Sequence, residues 1–338
     1  MTELLIRVDA NPEIALGHLK RCLALAKALV ERGVGVLMAC SPDAGGDRLL
    51  VSSGVPWRHV SARLGAPGDI AQTAAMAAQT GARTVLLDSY VAQAATIEAL
   101  RSAGLRVAYI DDLGQVDLPC DLVLNGLPGA ENLEYRCPEK LIGKECLILA
   151  PEYWGGCGED SERCGLLVTM GGVDHYDYSC RTLEMLDALG VDIDVTVIIG
   201  PYYENIGAIR AAAAVFGGRV RLVHSPDSLH PFMCGATAAV SAGGMTLYEL
   251  ATVGVPTVGI ALWENQFANV RELGSMGIIE AVWHGRETTR NDFSGALCVV
   301  LRDEERRAEM RRRGREHFDG RGALRVADKI RDWTRSSI

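Results

Sequence analysis

The 338-residue sequence predicts an α/β protein built from two doubly wound parallel-sheet domains. Three observations predict it. Short apolar runs of strand length alternate with helix-length stretches, the rhythm of βαβ units. Ala, Gly, Val and Leu dominate while aromatics make up only 6% of the chain, as parallel strands covered on both faces require. The rhythm breaks at 152–163 (EYWGGCGEDSER), a glycine- and charge-rich linker, and then restarts. The length and a hydrophobic content of 48% suit two buried cores.

The first strand is expected at 4–8. The helix after it, 19–31, places Leu19, Leu23, Ala26 and Leu29 at helical spacing. A strand at 35–40, a helix at 70–80, a strand at 84–88 and a helix at 92–103 continue the alternation. Strands at 106–110 and 122–125 close the first half. The second half opens with a strand ending in glycines, 165–172 (GLLVTMGG), then a helix at 178–189 and strands at 194–199 and 220–224. A buried strand at 236–240 runs into Gly243 and Gly244, after which Leu247, Leu250 and Ala251 take core-facing helical spacing. A strand at 257–261 and helices at 266–274, 303–318 and 324–333 complete the chain. The expected domains are 1–155 and 164–318, with a C-terminal helix in 319–338 packing back on the first. Two such sheets with an interdomain cleft would bind ligand at the carboxyl ends of their strands.

A net charge of −9 argues against nucleic acid and membrane surfaces as partners. Arg302 and the arginines of 306–315 alternate with Asp303, Glu304, Glu305, Glu309 and Glu316, which reads as a solvated helix face. The ten cysteines show no C-x-x-C pair and read mostly as small core residues, although Cys157 and Cys164 lie close enough in sequence to approach one another. No run reaches the ~18 apolar residues of a membrane span, and the N-terminus enters a strand rather than a signal peptide. A cytoplasmic monomer is the expectation.

The chemistry concentrates in a few places. Around 241–249 (SAGGMTLYE), a strand turns into a helix through Gly243 and Gly244. Unpaired N–H groups at such a turn, reaching Met245 and Thr246, suit a diphosphate. Glu249, one turn on, has the reach for both hydroxyls of a ribose. Gly171 and Gly172 end another strand and can help frame the same diphosphate, while the backbone at 223–226 (VHSP), including Ser225, can read a flat base edge. Asn265 and Gln266 follow the next strand. Tight packing alone also explains a strand–Gly–Gly–helix junction.

In the first domain, residues 7–11 (RVDAN) end a strand, and Asn11 and Gly17 belong to the loop leading to His18 and Arg21. His18 falls in the first turn of a helix, where the positive end favours the neutral imidazole and keeps it available as a general base. Asp9 can orient it or meet a sugar hydroxyl; a capping histidine without chemistry is the plain alternative. Arg21 faces either the cleft or solvent. Asp88 and Tyr90, at the end of the strand 84–88, reach the rim. Asp111 and Asp112 read as strand-end caps, so no metal or cofactor is called for. The catalytic candidates are His18, Asp9 and Tyr90.

With these residues in view, the chain resembles the UDP-2,4-diacetamido-2,4,6-trideoxy-β-L-altropyranose hydrolases of pseudaminic acid biosynthesis. The resemblance rests on Arg7-x-Asp9-Ala-Asn11, Gly17-His18-x-x-Arg21, Asp121-x-x-x-Asn125, Met170-Gly-Gly-x-Asp174, and the stretch from Ser241 through Gln266. It implies a GT-B fold similar to the GlcNAc transferase of peptidoglycan synthesis. It also implies metal-free cleavage of the anomeric C–O bond of a UDP-sugar by water, with inversion, giving UDP and free sugar. It assigns water activation to His18, the diphosphate to Gly243 through Thr246, the ribose to Glu249, and sugar or water to Asn265 and Gln266. The chain departs from the family in having Ser89 where Asp-His-Tyr is common and Ala150 where an Arg precedes Pro-Glu. These departures bear on the sugar rather than the reaction class. The other readings are a glycosyltransferase of the same fold and a non-catalytic nucleotide-sugar binder.

Overall fold

The computed structural model describes residues 2–11, 14, 16–157, 163–284 and 289–336, with only the backbone at 289 and 290. It divides into two units, residues 1–154 with 320–338, and residues 155–319.

In the first unit, runs such as LLIRV and VLMAC are apolar at nearly every position, so they suit strands covered on both faces. They form β1 (Leu4–Val8) and β2 (Val36–Cys40), buried throughout, with α1 (Gly17–Glu31) between them. α2 (Ala44–Ser53), β3 (Trp57–His59), α3 (Asp69–Thr80), β4 (Thr84–Asp88), α4 (Ala94–Ser102), β5 (Arg106–Ile110), β6 (Leu122–Asn125) and β7 (Glu139–Ile142) follow. The seven strands are parallel in the order β3-β2-β1-β4-β5-β6-β7. Strand order reverses between β1 and β4, the point where an open sheet leaves a crevice at its carboxyl end.

The second unit repeats the scheme with β8 (Leu166–Thr169), α5 (Tyr178–Ala188), β9 (Val195–Ile199), α6 (Ile206–Ala214), β10 (Val220–His224), α7 (His230–Gly235) and β11 (Ala238–Ala242). It continues through α8 (Thr246–Val253), β12 (Thr257–Ala261), α9 (Glu264–Ser275), β13 (Ile279–Trp283), α10 (Thr289–Arg302) and α11 (Glu304–His317). Its six parallel strands run β10-β9-β8-β11-β12-β13, and the reversal falls between β8 and β11.

The last helix, α12 (Gly322–Arg335), belongs to the first unit and packs on α1. Its Ala323, Val326, Ala327 and Ile330 are wholly buried, and a buried Val or Ile is worth about 1.5–3 kcal/mol. Arg32 and Asp328 pin the pair from outside at 2.7 Å. The fit at the start of α12 is close: a Cβ on Gly322 would lie 2.0 Å from the Leu147 carbonyl oxygen.

Several expectations shift. α2 (AGGDRLLVSS) carries two glycines and lacks helix propensity, yet the Asp43 side chain caps it by accepting from Gly46 N–H at 2.7 Å, and Leu50 anchors it. The strand expected at 165–172 stops at Thr169, and Gly171 turns the chain with φ +77°. α9 starts at Glu264, which places Asn265 and Gln266 inside its first turn. Cys157 pairs with Cys234 rather than with Cys164, which is exposed and free. No helix among the described residues is long and apolar enough to cross a membrane.

Candidate active site

At the carboxyl end of the first sheet, β1 leads into α1 beside the end of β4. That neighbourhood sets His18 against Asp88: Nδ1 and Oδ1 are 2.7 Å apart, with His18 only 6% and Asp88 only 1% exposed. Arg21, one turn along α1, grips the same carboxylate through Nε at 2.6 Å and Nη2 at 2.5 Å, and donates to Asp112 through Nη1 at 2.8 Å. The Cys22 thiol, its pKa pushed up by burial and by Asp88, donates to Oδ2 at 3.2 Å. The Tyr90 ring meets His18 edge to face at 4.4 Å, and its hydroxyl approaches Asp112 at 3.4 Å.

This arrangement fixes a proton. Burial alone would raise the Asp88 pKa, but Arg21 and His18 more than offset it and hold the carboxyl well below the usual range. An ionised carboxylate only accepts, so the short contact requires the hydrogen on His18 Nδ1. Arg21 Nη2, 3.1 Å from Nδ1, is then a neighbouring donor and not a partner. In the neutral ring the lone pair lies on Nε2, which makes no hydrogen bond among the described residues. A base oriented in this way by a buried carboxylate is the arrangement that acyl-transfer triads use for proton abstraction.

Asp9 does not meet His18. Its Oδ1 pairs with Arg7 Nη1 and accepts from Ser41 N–H at 2.8 Å; its Oδ2 accepts from Leu64 N–H at 2.7 Å. Arg7, fully buried, also holds Asp69 at 2.9 Å and the Ala62 carbonyl at 2.8 Å. This knot ties β1 to the loops after β2 and β3, so the expected imidazole-orienting role passes from Asp9 to Asp88. Arg21 is neither a solvent charge nor a free ligand group, since both partners are carboxylates of the protein. Asn11 Oδ1 accepts from Ile14 N–H at 3.1 Å, shaping the loop before α1, and a Cβ on Gly17 would meet nothing within 4 Å. Asp111 caps its own loop and accepts from the Tyr135 hydroxyl at 2.6 Å.

In the second unit, the two glycines of the β11–α8 turn do different jobs. Gly243 is packed: a Cβ there would lie 2.8 Å from Val270 Cγ2 and 2.9 Å from Gln266 Cβ. Gly244 faces open space, with nothing within 4 Å of a Cβ. The N–H groups of Gly244, Met245 and Thr246 find no acceptor among the described residues, as the first turn of a helix leaves them. Glu249 stands in that first turn. Asn269 was not singled out in the sequence but braces the turn: its Nδ2 donates to the Gly243 carbonyl at 3.1 Å, and its Oδ1 accepts from the Tyr248 hydroxyl at 2.8 Å. An Asn one helical turn beyond Asn265 was the available signal.

Other candidates have structural duties. Gln266 Oε1 accepts from Leu262 N–H at 3.0 Å, leaving only its Nε2 for a ligand, while Asn265 is exposed. The Ser225 N–H is taken by the Ile199 carbonyl at 2.9 Å, so it cannot read a base edge. Ser225 does sit in a rare backbone conformation, with φ +40°. Gly171 and Gly172 lie over Gly200, where a Cβ would come within 2.3 and 2.4 Å of their carbonyl oxygens. Trp263, 44% exposed, packs near His175 and Tyr176 just before Asn265.

No protein-family model matches the chain. Over 221 residues it is 24% identical to the spore coat polysaccharide biosynthesis protein SpsG of Bacillus subtilis, a match covering 63% of this chain and 65% of that one. Over 160 residues it is 23% identical to an uncharacterized protein of Methanocaldococcus jannaschii, covering 43% of this chain and 33% of the other. The chain thus spans less than two thirds of either curated relative. Among solved structures, MurG of Acinetobacter baumannii superposes with a TM-score of 0.69 at 18% identity, over 98% of this chain and 99% of that one. The Staphylococcus aureus MnaA–UDP co-structure gives 0.69 at 13% identity, over 98% and 97%. Anabaena Alr3699/HepE in complex with UDP and glucose gives 0.65 at 11%, over the whole of both chains. At these identities the likeness establishes the fold alone: two Rossmann-like units of the GT-B fold.

Proposed function

We propose that the chain is a metal-independent UDP-sugar hydrolase that releases UDP and free sugar, with a 2,4-diacetamido-2,4,6-trideoxyhexose as its sugar, in the biosynthesis of a nonulosonic acid of pseudaminic type. The observation that carries the reading is the buried Asp88–His18 pair, which fixes the proton on Nδ1 and presents Nε2 as a base. In this reading Nε2 takes a proton from water as the water oxygen bonds to the anomeric carbon. The bond from that carbon to the diphosphate oxygen breaks, and the electron pair leaves with UDP. Asp88 balances the imidazolium that forms. The N–H groups of Gly244, Met245 and Thr246 take the diphosphate charge, Glu249 the ribose, and Asn265 with Gln266 Nε2 the sugar. Tyr90 keeps the His18 ring in place from its edge.

The occurrence of UDP in the MnaA and HepE structures supports the nucleotide, and the polysaccharide role in the name of SpsG supports the pathway class. A transferase reading is favoured by the similarity to the forosaminyltransferase SpnP, with a TM-score of 0.68 at 14% identity. The experiment is UDP release from a panel of UDP-sugars, including UDP-GlcNAc and UDP-2,4-diacetamido-trideoxyhexoses, without acceptor or metal. Release by the wild type that His18→Ala abolishes is expected. UDP binding without release from any sugar would favour the transferase.

A further inference from the structure

The arginines of α11 were expected on a solvated face, and part of the helix meets that expectation: Arg312 bridges Glu309 and Glu316 at 2.8 and 2.6 Å. The opposite face does not. Arg311 and Arg315, four residues apart, turn toward the C-terminal end of α8, where Arg163 joins them from the start of the second unit. Arg163 donates to the Val253 carbonyl at 2.9 Å and the Gly254 carbonyl at 3.0 Å; Arg311 reaches Gly254 and Arg315 reaches Val253, each at 3.3 Å. Arg307, bonded to the Val300 carbonyl at 3.4 Å, completes the wall. Together with Thr237, Ala308 and Glu304 they line a pocket of about 400 Å³.

The end of a helix carries roughly half a negative charge, which a single guanidinium offsets. Here three guanidiniums share two carbonyls and a fourth stands beside them. Among the described residues none of the four is ion-paired with a carboxylate, and Glu304 is the one acidic residue in the lining. Among the described residues the cluster carries excess positive charge in a partly desolvated place. Burial and the neighbouring Arg311 and Arg315 bring the Arg163 pKa down to about 10, and Arg311 is lowered by burial and by Arg315 and Arg307. The backbone accommodates the crowding. Gly254 adopts φ +72°, and a Cβ there would lie 2.6 Å from Arg315 Nε; a Cβ on Gly314 would lie 2.5 Å from the Ala251 carbonyl oxygen.

We propose that this pocket is an oxyanion site that binds a compact, multiply charged phosphate compound of pyrophosphate type. It is separate from the glycine turn, because β11 and α8 run between them: Thr237 precedes β11 and Gly254 follows α8, while Gly243 and Gly244 join the opposite ends. Planar guanidiniums supply paired donors that match phosphoryl oxygens, and the anion neutralises like charges that otherwise face one another. The site deepens no step of the proposed hydrolysis; it offers the second unit a ligand of its own.

The test is calorimetric titration of the full chain with inorganic pyrophosphate, with inorganic phosphate, sulfate and UDP as parallel arms. Arg307→Gln touches no group of α8, so it removes a lining charge without uncapping that helix, and it decides the matter even if an Arg311→Gln/Arg315→Gln variant fails to fold. Saturable binding of pyrophosphate that weakens about tenfold or more per guanidinium lost, and that survives in Gly244→Ala, is the expected result. Preference for UDP over pyrophosphate in the same pocket would identify a nucleotide as the ligand within the class. Binding unchanged in Arg307→Gln, binding lost in Gly244→Ala, or no saturable pyrophosphate binding at millimolar concentration would overturn the proposal.

Discussion

Replacing Asp88 by Asn keeps the shape of the side chain and removes its charge, which makes it the most informative substitution in the first unit. Asp88 is 1% exposed and holds three partners: His18 at 2.7 Å, Arg21 through two bonds, and the Cys22 thiol. Breaking a buried pair by neutralising one member costs about 3–5 kcal/mol. Asp112 remains on Arg21 at 2.7 Å, so the lower end applies, about 3 kcal/mol. For a domain of this size that lowers Tm by about 6–12 °C. The rate effect is separate. An Asn that turns its oxygen to Arg21 presents its NH2 to His18 Nδ1, which must then accept, so the proton moves to Nε2 and the base is lost. UDP release measured at 25 °C, well below the melting transition, falls by about 10²–10⁴-fold. Asp112→Asn is the counterpart: it unpairs one side of Arg21 but leaves the His18–Asp88 contact, so Tm falls while release stays within a few-fold. Asp88→Asn retaining wild-type release would refute the role given to the pair; an unchanged Tm would refute its buried ion pairing.

Asp88 binds its proton more weakly in the folded than in the unfolded chain, so the unfolded state takes up more protons in acid and stability rises with pH there. Its contribution is complete above about pH 4, the unfolded carboxyl value, and fades as pH falls toward the lower folded value, so acid melting curves of Asp88→Asn flatten relative to wild type. Gly243→Ala forces a Cβ to 2.8 Å from Val270 and destabilises the second unit by about 1–3 kcal/mol, whereas Gly244→Ala leaves stability intact and weakens UDP binding in titration calorimetry. Gly322→Ala drives a Cβ against the Leu147 carbonyl, and about 3 kcal/mol lost from the first unit appears as a lower Tm in scanning calorimetry. Reducing Cys157–Cys234, which closes a span of 77 residues, costs the second unit about 2–5 kcal/mol, read as a Tm shift with and without dithiothreitol.

The parallel strands were legible because burial on both faces leaves an uninterrupted apolar signal, as in β1, β4 and β12. What escaped lacks that signal. β7 (EKLI) is an edge strand with polar residues facing solvent, and β3 is three residues long. α2 begins with glycines and rests on a cap and one anchoring leucine. The position of His18 at the first turn of α1 follows from local spacing, but its partner does not. Asp9 and Asp88 both end strands, and only the order β1-β4 determines that Asp88 lies beside α1 while Asp9 is absorbed by Arg7. Cys157 and Cys234 meet across a distance that no local spacing encodes. Gly243 and Gly244 look alike in sequence and differ only in what packs against them, Val270 and Gln266 on α9 in one case and open space in the other.

In the proposed hydrolysis His18 activates water toward an anomeric carbon. Turnover of a UDP-sugar in ¹⁸O-water, without acceptor, tests it directly by mass spectrometry of both products. The expected result is one ¹⁸O at the anomeric position of the released sugar, unlabelled UDP, and loss of the labelled sugar in His18→Ala. Label in the UDP phosphate would mean that the P–O bond breaks instead, and labelled sugar undiminished in His18→Ala would remove the histidine from the chemistry.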